Sequence, residues 1–296
     1  MYRNFNELIS KATAEPKTIV VAAAHDHHTL EAVFTAVEKL GTKYILVGNR
    51  EKIMAISSEL DVTPEYNSIV EATDDIDCAK KAVALVREKS GDALMKGILE
   101  TKVLLKEVLD KETGIRDTGT LSHLAILETP AYNKLIGITD GGMIPAPTLE
   151  QKVDVAINAV TFFKRIGYKT PKVAALCASE TVSPKIQESV EAAELQAKCQ
   201  KGELGDCILE GPISFDIAIC KESALIKGYT SEISGETDIM LVPNITVGNV
   251  LAKSLVYWAG AKMAGCVLGA KAPIVLTSRG ASAEEKMLSI MICTTV

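Results

Sequence analysis

The chain has 296 residues, 47% of them hydrophobic, which is enough for one large domain or two medium ones with an ample core. Net charge is -6 with the two signs mixed, so composition offers no nucleic-acid-binding surface. The opening MYRNFNELISKATAEPK lacks a signal-peptide core, and the longest apolar runs, TIVVAAA and PKVAALCA, are too short to span a bilayer. Seven scattered cysteines without a C-x-x-C pair read as reduced thiols, so a cytoplasmic protein without membrane contact is expected.

Short apolar runs alternate with helical patterns from the start. TIVVAAA precedes HTLEAVFTAVEKLG, KYILVG precedes REKIMAISSEL, and DDIDCAKKAVALVREKSG leads into DALMKG and then TKVLLKEVLDKETG. HLAILET, KLIGITD, PKVAALCA, DIAI, DIMLVP and APIVL follow as further strand-like runs. Buried runs separated by helices predict an α/β protein with mostly parallel sheets covered on both faces. Gly41, Gly91 and Gly167 stand where helix C-terminal glycines belong. Ser183 before Pro184 reads as an N-cap with proline in the first turn, and Thr148 with Gln151 has capping-box spacing. No period of a repeat protein is present. ITDGGMIPAPT, with two glycines and two prolines between a strand and a long helix, predicts a crease between two α/β lobes.

Ligands of open α/β sheets sit outside the carboxyl ends of strands, so chemistry is sought there. In AAAHDHHTLEA, His25, His27 and His28 with Asp26 have a metal-ligand look, with His123 as a distant fourth histidine. The plainer reading has Asp26 capping the next helix, and no metal is expected. In DALMKGILETKVLLKEVL, Lys96 follows an apolar strand while Thr101 and Lys106 fall on the next helix. A lysine beside helix-start amides suits an anion, whereas Lys106 alone reads as a solvated position. In DIMLVPNITVGNVLAKSL, a strand runs into Asn244, Thr246, Gly248 and Asn249. The glycine admits a ligand or another backbone, and a plain turn capped by Thr246 or Asn249 accounts for the same residues. In LTSRGASAEEK, Ser282 and Glu285 have capping-box spacing. Arg279 offers a planar five-donor fork suited to phosphate or an oxyanion, flanked by Ser278 and Gly280. No G-x-S-x-G elbow or cysteine nucleophile context occurs, which disfavours covalent catalysis.

Taken together, GPISFDIAI, SEISGETDIMLVPNITVGNVLAKSLVYWAGAKMAG and GAKAPIVLTSRGASAEEK resemble the phosphate acyltransferases, that is, the phosphate acetyltransferases and phosphate butyryltransferases. DALMKGILET, TLSHLAILETP and the compact length look most like the butyryltransferase branch. The resemblance implies reversible transfer of a short acyl group, butyryl favoured, between coenzyme A and inorganic phosphate. It implies two α/β/α lobes with mostly parallel sheets of the isocitrate/isopropylmalate dehydrogenase kind and an active site in the interlobe cleft. The lobes are expected at residues 1–138 with 278–296, and at 139–277. A homodimer or larger homo-oligomer is implied, with coenzyme A as substrate and no tightly bound cofactor.

Carried over by position, Ser278 and Arg279 match the family's Ser-Arg pair at the phosphate and thioester. The carboxylate six residues later falls on Glu285, where acetyltransferases carry aspartate, with Glu284 as the other candidate. Lys106 takes the place of an arginine. Lys96, Thr101, Lys106, Asn244, Thr246, Gly248 and Asn249 are the expected substrate-binding residues. Two rivals are a related two-lobed dehydrogenase, which needs clustered aspartates and a dinucleotide turn not found here, and a non-catalytic coenzyme A- or anion-binding protein. Transfer to acetyl rather than butyryl groups is the alternative within the same chemistry.

Overall fold

Strands and helices alternate along the chain in the computed structural model, which describes residues 1–11, 16–117, 119–277 and 280–295. The order is α1 (Phe5–Lys11), β1 (Thr18–Ala22), α2 (His27–Leu40), β2 (Lys43–Gly48), α3 (Arg50–Glu59), β3 (Ile69–Glu71), α4 (Asp75–Arg87), β4 (Ala93–Lys96), α5 (Thr101–Val108), β5 (Ser122–Glu128) and β6 (Ile136–Thr139). There follow α6 (Leu149–Arg165), β7 (Lys172–Leu176), α7 (Gln187–Gln200), β8 (Ile208–Ile213), α8 (Phe215–Ile219), α9 (Lys221–Ile226), β9 (Ile239–Leu241), α10 (Ile245–Ala259), β10 (Lys262–Leu268), β11 (Ile274–Val275) and α11 (Ala283–Thr294). The protein is α/β with mostly parallel strand pairing, as the alternating pattern predicts.

Two compact units form, residues 9–118 with 264–296 and residues 1–8 with 119–263. The sequence places its divisions at 138/139 and 277/278. Antiparallel pairing of β5 with β6, Leu124 opposite Thr139 through Leu127 opposite Ile136, keeps 122–128 and 136–139 in one unit. In the unit of residues 9–118 and 264–296, β1 lies between β2 and β4, β3 flanks β2 and β11 flanks β4, all parallel. β10 runs antiparallel to β11. In the other unit β9 lies between β6 and β7, with β8 parallel to β7. α11 is buried from Met287 to Cys293 and packs against α2 and β11. A helix apolar all round belongs inside, not on the surface.

Several local expectations hold. Gly41 ends α2 in the left-handed conformation, and Thr148 with Gln151 forms the full capping box of α6. Others are corrected. The left-handed residue after α4 is Lys89, and Gly91 serves close packing, since a Cβ there would sit 2.3 Å from Val20 Cγ2. Ser183 does not cap α7, which starts at Gln187 after Ile186. Its backbone N–H instead donates to Ser189 Oγ at 2.9 Å. DIAI is not a strand but lies in α8, with Ile217 and Ala218 buried. So short a run fits either period. The strand there is ILEGPI, β8, which Pro212 disguises; β8 pairs with β7 and takes no other strand in its unit, and such an edge tolerates proline.

A buried ion pair ties the amino ends of three strands. Lys134, with a fully buried side chain, donates to Asp238 Oδ1 at 2.6 Å and to the Glu236 carbonyl at 2.7 Å. Asp238 Oδ2 accepts from the Lys172 N–H at 2.8 Å, so the pair joins the approaches to β6, β7 and β9. Removing one partner strands the other charge in the interior. Lys134→Met should cost about 3–5 kcal/mol in denaturant unfolding. Lys134→Met with Asp238→Asn should cost less than the single change, because the uncompensated carboxylate is gone.

Candidate functional site

The site is best built from the edge where β1, β4 and β11 end. Ala22 lies opposite Lys96, and Val275 opposite Met95, in parallel register. The chain therefore leaves all three strands at one edge of this unit, and LTSRGASAEEK begins there. Ser278 and Arg279 lie outside the described residues. Ser282 caps α11, its Oγ accepting the Glu285 N–H at 3.1 Å. Buried Ser289 accepts from the Gly265 N–H at 2.9 Å and donates to the Glu285 carbonyl at 2.7 Å. The backbone of Glu285 is thus tethered to β10.

The Glu285 side chain is half-buried, and among the described residues its carboxylate has no hydrogen-bond or ion-pair partner. Only half of the expected capping box exists, because Ser282 acts as cap without a reciprocal bond from Glu285. Burial raises the Glu285 pKa above the ordinary 4.5, with the Lys286 charge opposing. A carboxyl so placed exchanges a proton more readily near neutrality than an exposed one. Glu284 is exposed.

Lys96 closes β4, and its Nζ donates to the carbonyls of Gly97 at 2.9 Å and Leu99 at 3.1 Å. Its charge is thereby fixed against the loop that leads to α5. Thr101 is the first residue of α5, whose N-cap is Glu100. Lys106 is exposed in the last turn, five residues on and about 140° around the helix from Thr101. Its charge helps to hold the Asp110 carboxyl below the usual range, after hydrogen bonds from Thr113 and Glu112. That is the solvated position the spacing alone suggests.

In the other unit, the N-cap of α10 is Asn244, whose Oδ1 accepts the Val247 N–H at 3.1 Å. The alternative caps, Thr246 and Asn249, lie inside the helix instead. Gly248 is buried against the turn after β6. A Cβ on it would stand 2.7 Å from Gly141 Cα and 3.1 Å from the Asp140 carbonyl. Another backbone, not a ligand, occupies the space this glycine leaves. Asn249 Nδ2 donates to the Gly141 carbonyl at 3.3 Å, and Thr246 is exposed.

The turn itself is organised by Asp140, a residue that sequence reasoning passed over. Its carboxylate accepts from the N–H groups of Gly142 at 2.8 Å, Met143 at 2.9 Å and Ile144 at 3.2 Å. His123 packs on Gly142, so close that a Cβ there would meet its Cγ at 2.9 Å. Its Nδ1 is buried without a hydrogen bond, and burial lowers its pKa against the opposing charge of Asp140. The TDGG stretch carried this signal: an aspartate before two glycines suits a carboxylate folded over its own following amides.

Asp26 caps α2, its Oδ2 accepting from Thr29 N–H at 2.9 Å and hydroxyl at 2.6 Å. Among the described residues one group has metal-ligand spacing: His27, His28 and Glu31, whose ligand atoms lie within 4.8 Å of one another near the start of α2. Both histidines are exposed, and exposed groups of this kind are common without an ion. His25 sits apart from them, lining a cavity of about 480 Å³ with Asn49, Lys52, Thr73, Asp75 and Cys78. None of the residues expected to bind substrate lines that cavity.

Lys96 at the end of β4 and, among the described residues, an unpartnered half-buried carboxyl near the start of α11 belong to an α/β protein with mostly parallel strands. The family model described as phosphate acetyl/butaryl transferase matches residues 73–294. A phosphate butyryltransferase of Clostridium acetobutylicum is 39% identical over 297 residues, covering 100% of this chain and 99% of that one. A phosphate acetyltransferase of Thermotoga maritima is 38% identical over 96% of each chain. The crystal structure of a branched-chain phosphotransacylase from Enterococcus faecalis V583 superposes with a TM-score of 0.84 at 33% identity, over 94% of this chain and 98% of that one. The chain belongs to the phosphate acetyl/butyryl transferase family.

The state of Glu285 has a stability signature. Because its folded pKa is raised, its contribution favours folding below 4.5 and is lost as pH rises through the higher folded value. Glu285→Gln should therefore melt no lower than the parent at pH 8, and the two curves should converge below pH 4.5. Ser282→Ala should cost about 1 kcal/mol at either pH, since it removes the cap itself.

Proposed function

We propose that the chain catalyses the reversible reaction acyl-CoA + phosphate ⇌ CoA + acyl phosphate on short acyl groups, butyryl favoured. The observation that carries this reading is the full-length similarity to a phosphate butyryltransferase. The similar extent of likeness to a phosphate acetyltransferase keeps acetyl-CoA as the second reading. Both substrates are held together, and a phosphate oxygen attacks the thioester carbon directly. Holding them in line is worth several kcal/mol of barrier.

Negative charge grows on the thioester oxygen as the carbon becomes tetrahedral. Arg279 and Ser278 stabilise it in this mechanism, and one such donor is worth about 3 kcal/mol. The carbon–sulfur bond then breaks and the thiolate takes a proton. In the reverse direction the CoA thiol, with an ordinary pKa near 8.5, must lose that proton. Glu285 serves as the acceptor, supported by its free carboxylate and raised pKa. Lys96 and Thr101 supply charge and a hydroxyl at the end of β4 and start of α5, with Lys106 a more remote cation. Thr246 and Asn249 offer exposed polar groups, while Asn244 and Gly248 shape the turn that presents them.

The finer setting follows the same reading. A cytoplasmic setting fits seven free cysteines; no described helix is long and apolar enough to cross a membrane. A homodimer or larger homo-oligomer is supported by α10. That helix buries only Gly248 and Ala252 and leaves Val250, Tyr257 and Trp258 58%, 78% and 89% exposed. Spaced seven and eight residues beyond Val250, the two aromatics continue one apolar stripe.

Thiol release from acetyl-CoA and butyryl-CoA, with and without phosphate, tests the reaction. Phosphate-dependent release is expected, and release indifferent to phosphate would sink the proposal. Butyryl exceeds acetyl by two methylenes, each worth about 0.8 kcal/mol, so the two substrates should differ by roughly 15-fold in kcat/KM. Arg279→Gln should lower turnover in both directions by about 100-fold or more, and Glu285→Gln should do so with thermal stability kept. Trp258→Glu should lower the mass measured by light scattering; an unchanged mass would count against α10 as the subunit contact.

A further inference from the structure

We propose that Cys199 and Cys207 form a reversible intramolecular disulfide on exposure to a low-molecular-weight disulfide. Cys199 lies in the last turn of α7 and Cys207 directly precedes β8. Their sulfurs stand 3.5 Å apart, and the Cys199 thiol donates to the Cys207 carbonyl at 3.4 Å. Both residues are half-buried rather than sealed.

The segment between them is braced at several points. Gly202 N–H donates to the Cys199 carbonyl at 2.8 Å, and Cys207 N–H to the Gly205 carbonyl at 3.1 Å. Lys198 pairs with Glu203 at 2.7 Å and Lys164 with Asp206 at 3.1 Å. Leu204 anchors the middle of the loop in the core at 1% exposure. The backbone thus holds the thiols together before any oxidant arrives, and a disulfide of ~2.05 Å has to close a sulfur gap of 3.5 Å.

The reaction balances without any further reagent. Cys199 thiolate attacks one sulfur of the small disulfide RSSR, forming a mixed disulfide and releasing RS⁻. Cys207 loses its proton, attacks Cys199 Sγ and displaces the second RS⁻. Two cysteine thiols are oxidised and RSSR is reduced to two RSH. Burial, then the neighbouring Cys199, pushes the Cys207 thiol up to about 12, which fits a thiol that reacts second, once the mixed disulfide on Cys199 stands beside it.

The chain contains its own control. Cys266 and Cys293 are also hydrogen-bonded to each other, but both are fully buried, in β10 and α11. Proximity is shared by the two pairs and access is not. Excess glutathione disulfide is added to the native full-length chain, free thiols are alkylated, and peptides are mapped by mass spectrometry. The expected product is a Cys199–Cys207 link with loss of two hydrogens, and with Cys266 and Cys293 alkylated only after unfolding. The link should raise Tm by roughly 5 °C, reversed by dithiothreitol. Cys207→Ser should stop at a glutathione adduct on Cys199. Recovery of Cys199 and Cys207 as free thiols in the parent chain, or linkage of either to a different cysteine, overturns the proposal.

Discussion

A strand covered on both faces has no place for a charged side chain along its length. That constraint governs this protein. β1 is buried from Ile19 through Ala22, and β4 from Ala93 through Met95. Parallel pairing then fixes direction as well as position. β1, β4 and β11 all end at one edge, so Lys96 and the segment after Val275 emerge side by side. The polar chemistry of this unit collects there because the interior rejects it elsewhere.

At that edge, two carboxylates at helix starts have opposite fates. Asp26 spends its oxygens on the α2 terminus, taking both the N–H and the hydroxyl of Thr29. Glu285 does no such work, because Ser282 caps α11 and Ser289 fixes the backbone to β10. Two serine hydroxyls carry the structural load, and among the described residues the half-buried Glu285 carboxyl has no hydrogen-bond partner. An oxygen already bound by backbone amides accepts a proton poorly; one left unbound and partly desolvated accepts it well. The division of tasks among four neighbouring side chains is what makes Glu285 a candidate base.

Much of this was legible in the sequence. Alternation of apolar runs with helical patterns gave the α/β class, and the caps at Gly41, Thr148 and Asp26 followed from residue type and spacing. Other features were not local. Pro212 hides β8 from any propensity argument, since only an edge position makes it acceptable. The cap of α10 fell to Asn244 rather than Thr246 or Asn249 because the helix begins one turn earlier than its glycine suggests. Spacing left Gly248 open between ligand and backbone, and only the folded turn supplies Gly141 as its neighbour. Arg279, with Ser278 beside it, stood out by the chemistry of its guanidinium and took its role from resemblance to a family, and Lys106 stands where plain solvation places it. Asp140 was passed over although TDGG carries its signal, an aspartate before two glycines; which amides the carboxylate takes is fixed only once the chain has turned.

The contact between Gly141 and Gly248 has an evolutionary corollary. Two positions 107 residues apart in the chain share one volume too small for a single methyl group. Neither can drift on its own, so natural variation should treat the β6 turn and the start of α10 as one inherited block. Chimeras that exchange the turn without the helix risk steric collision even when each parent is sound. A small absence of atoms thus couples distant stretches of the gene.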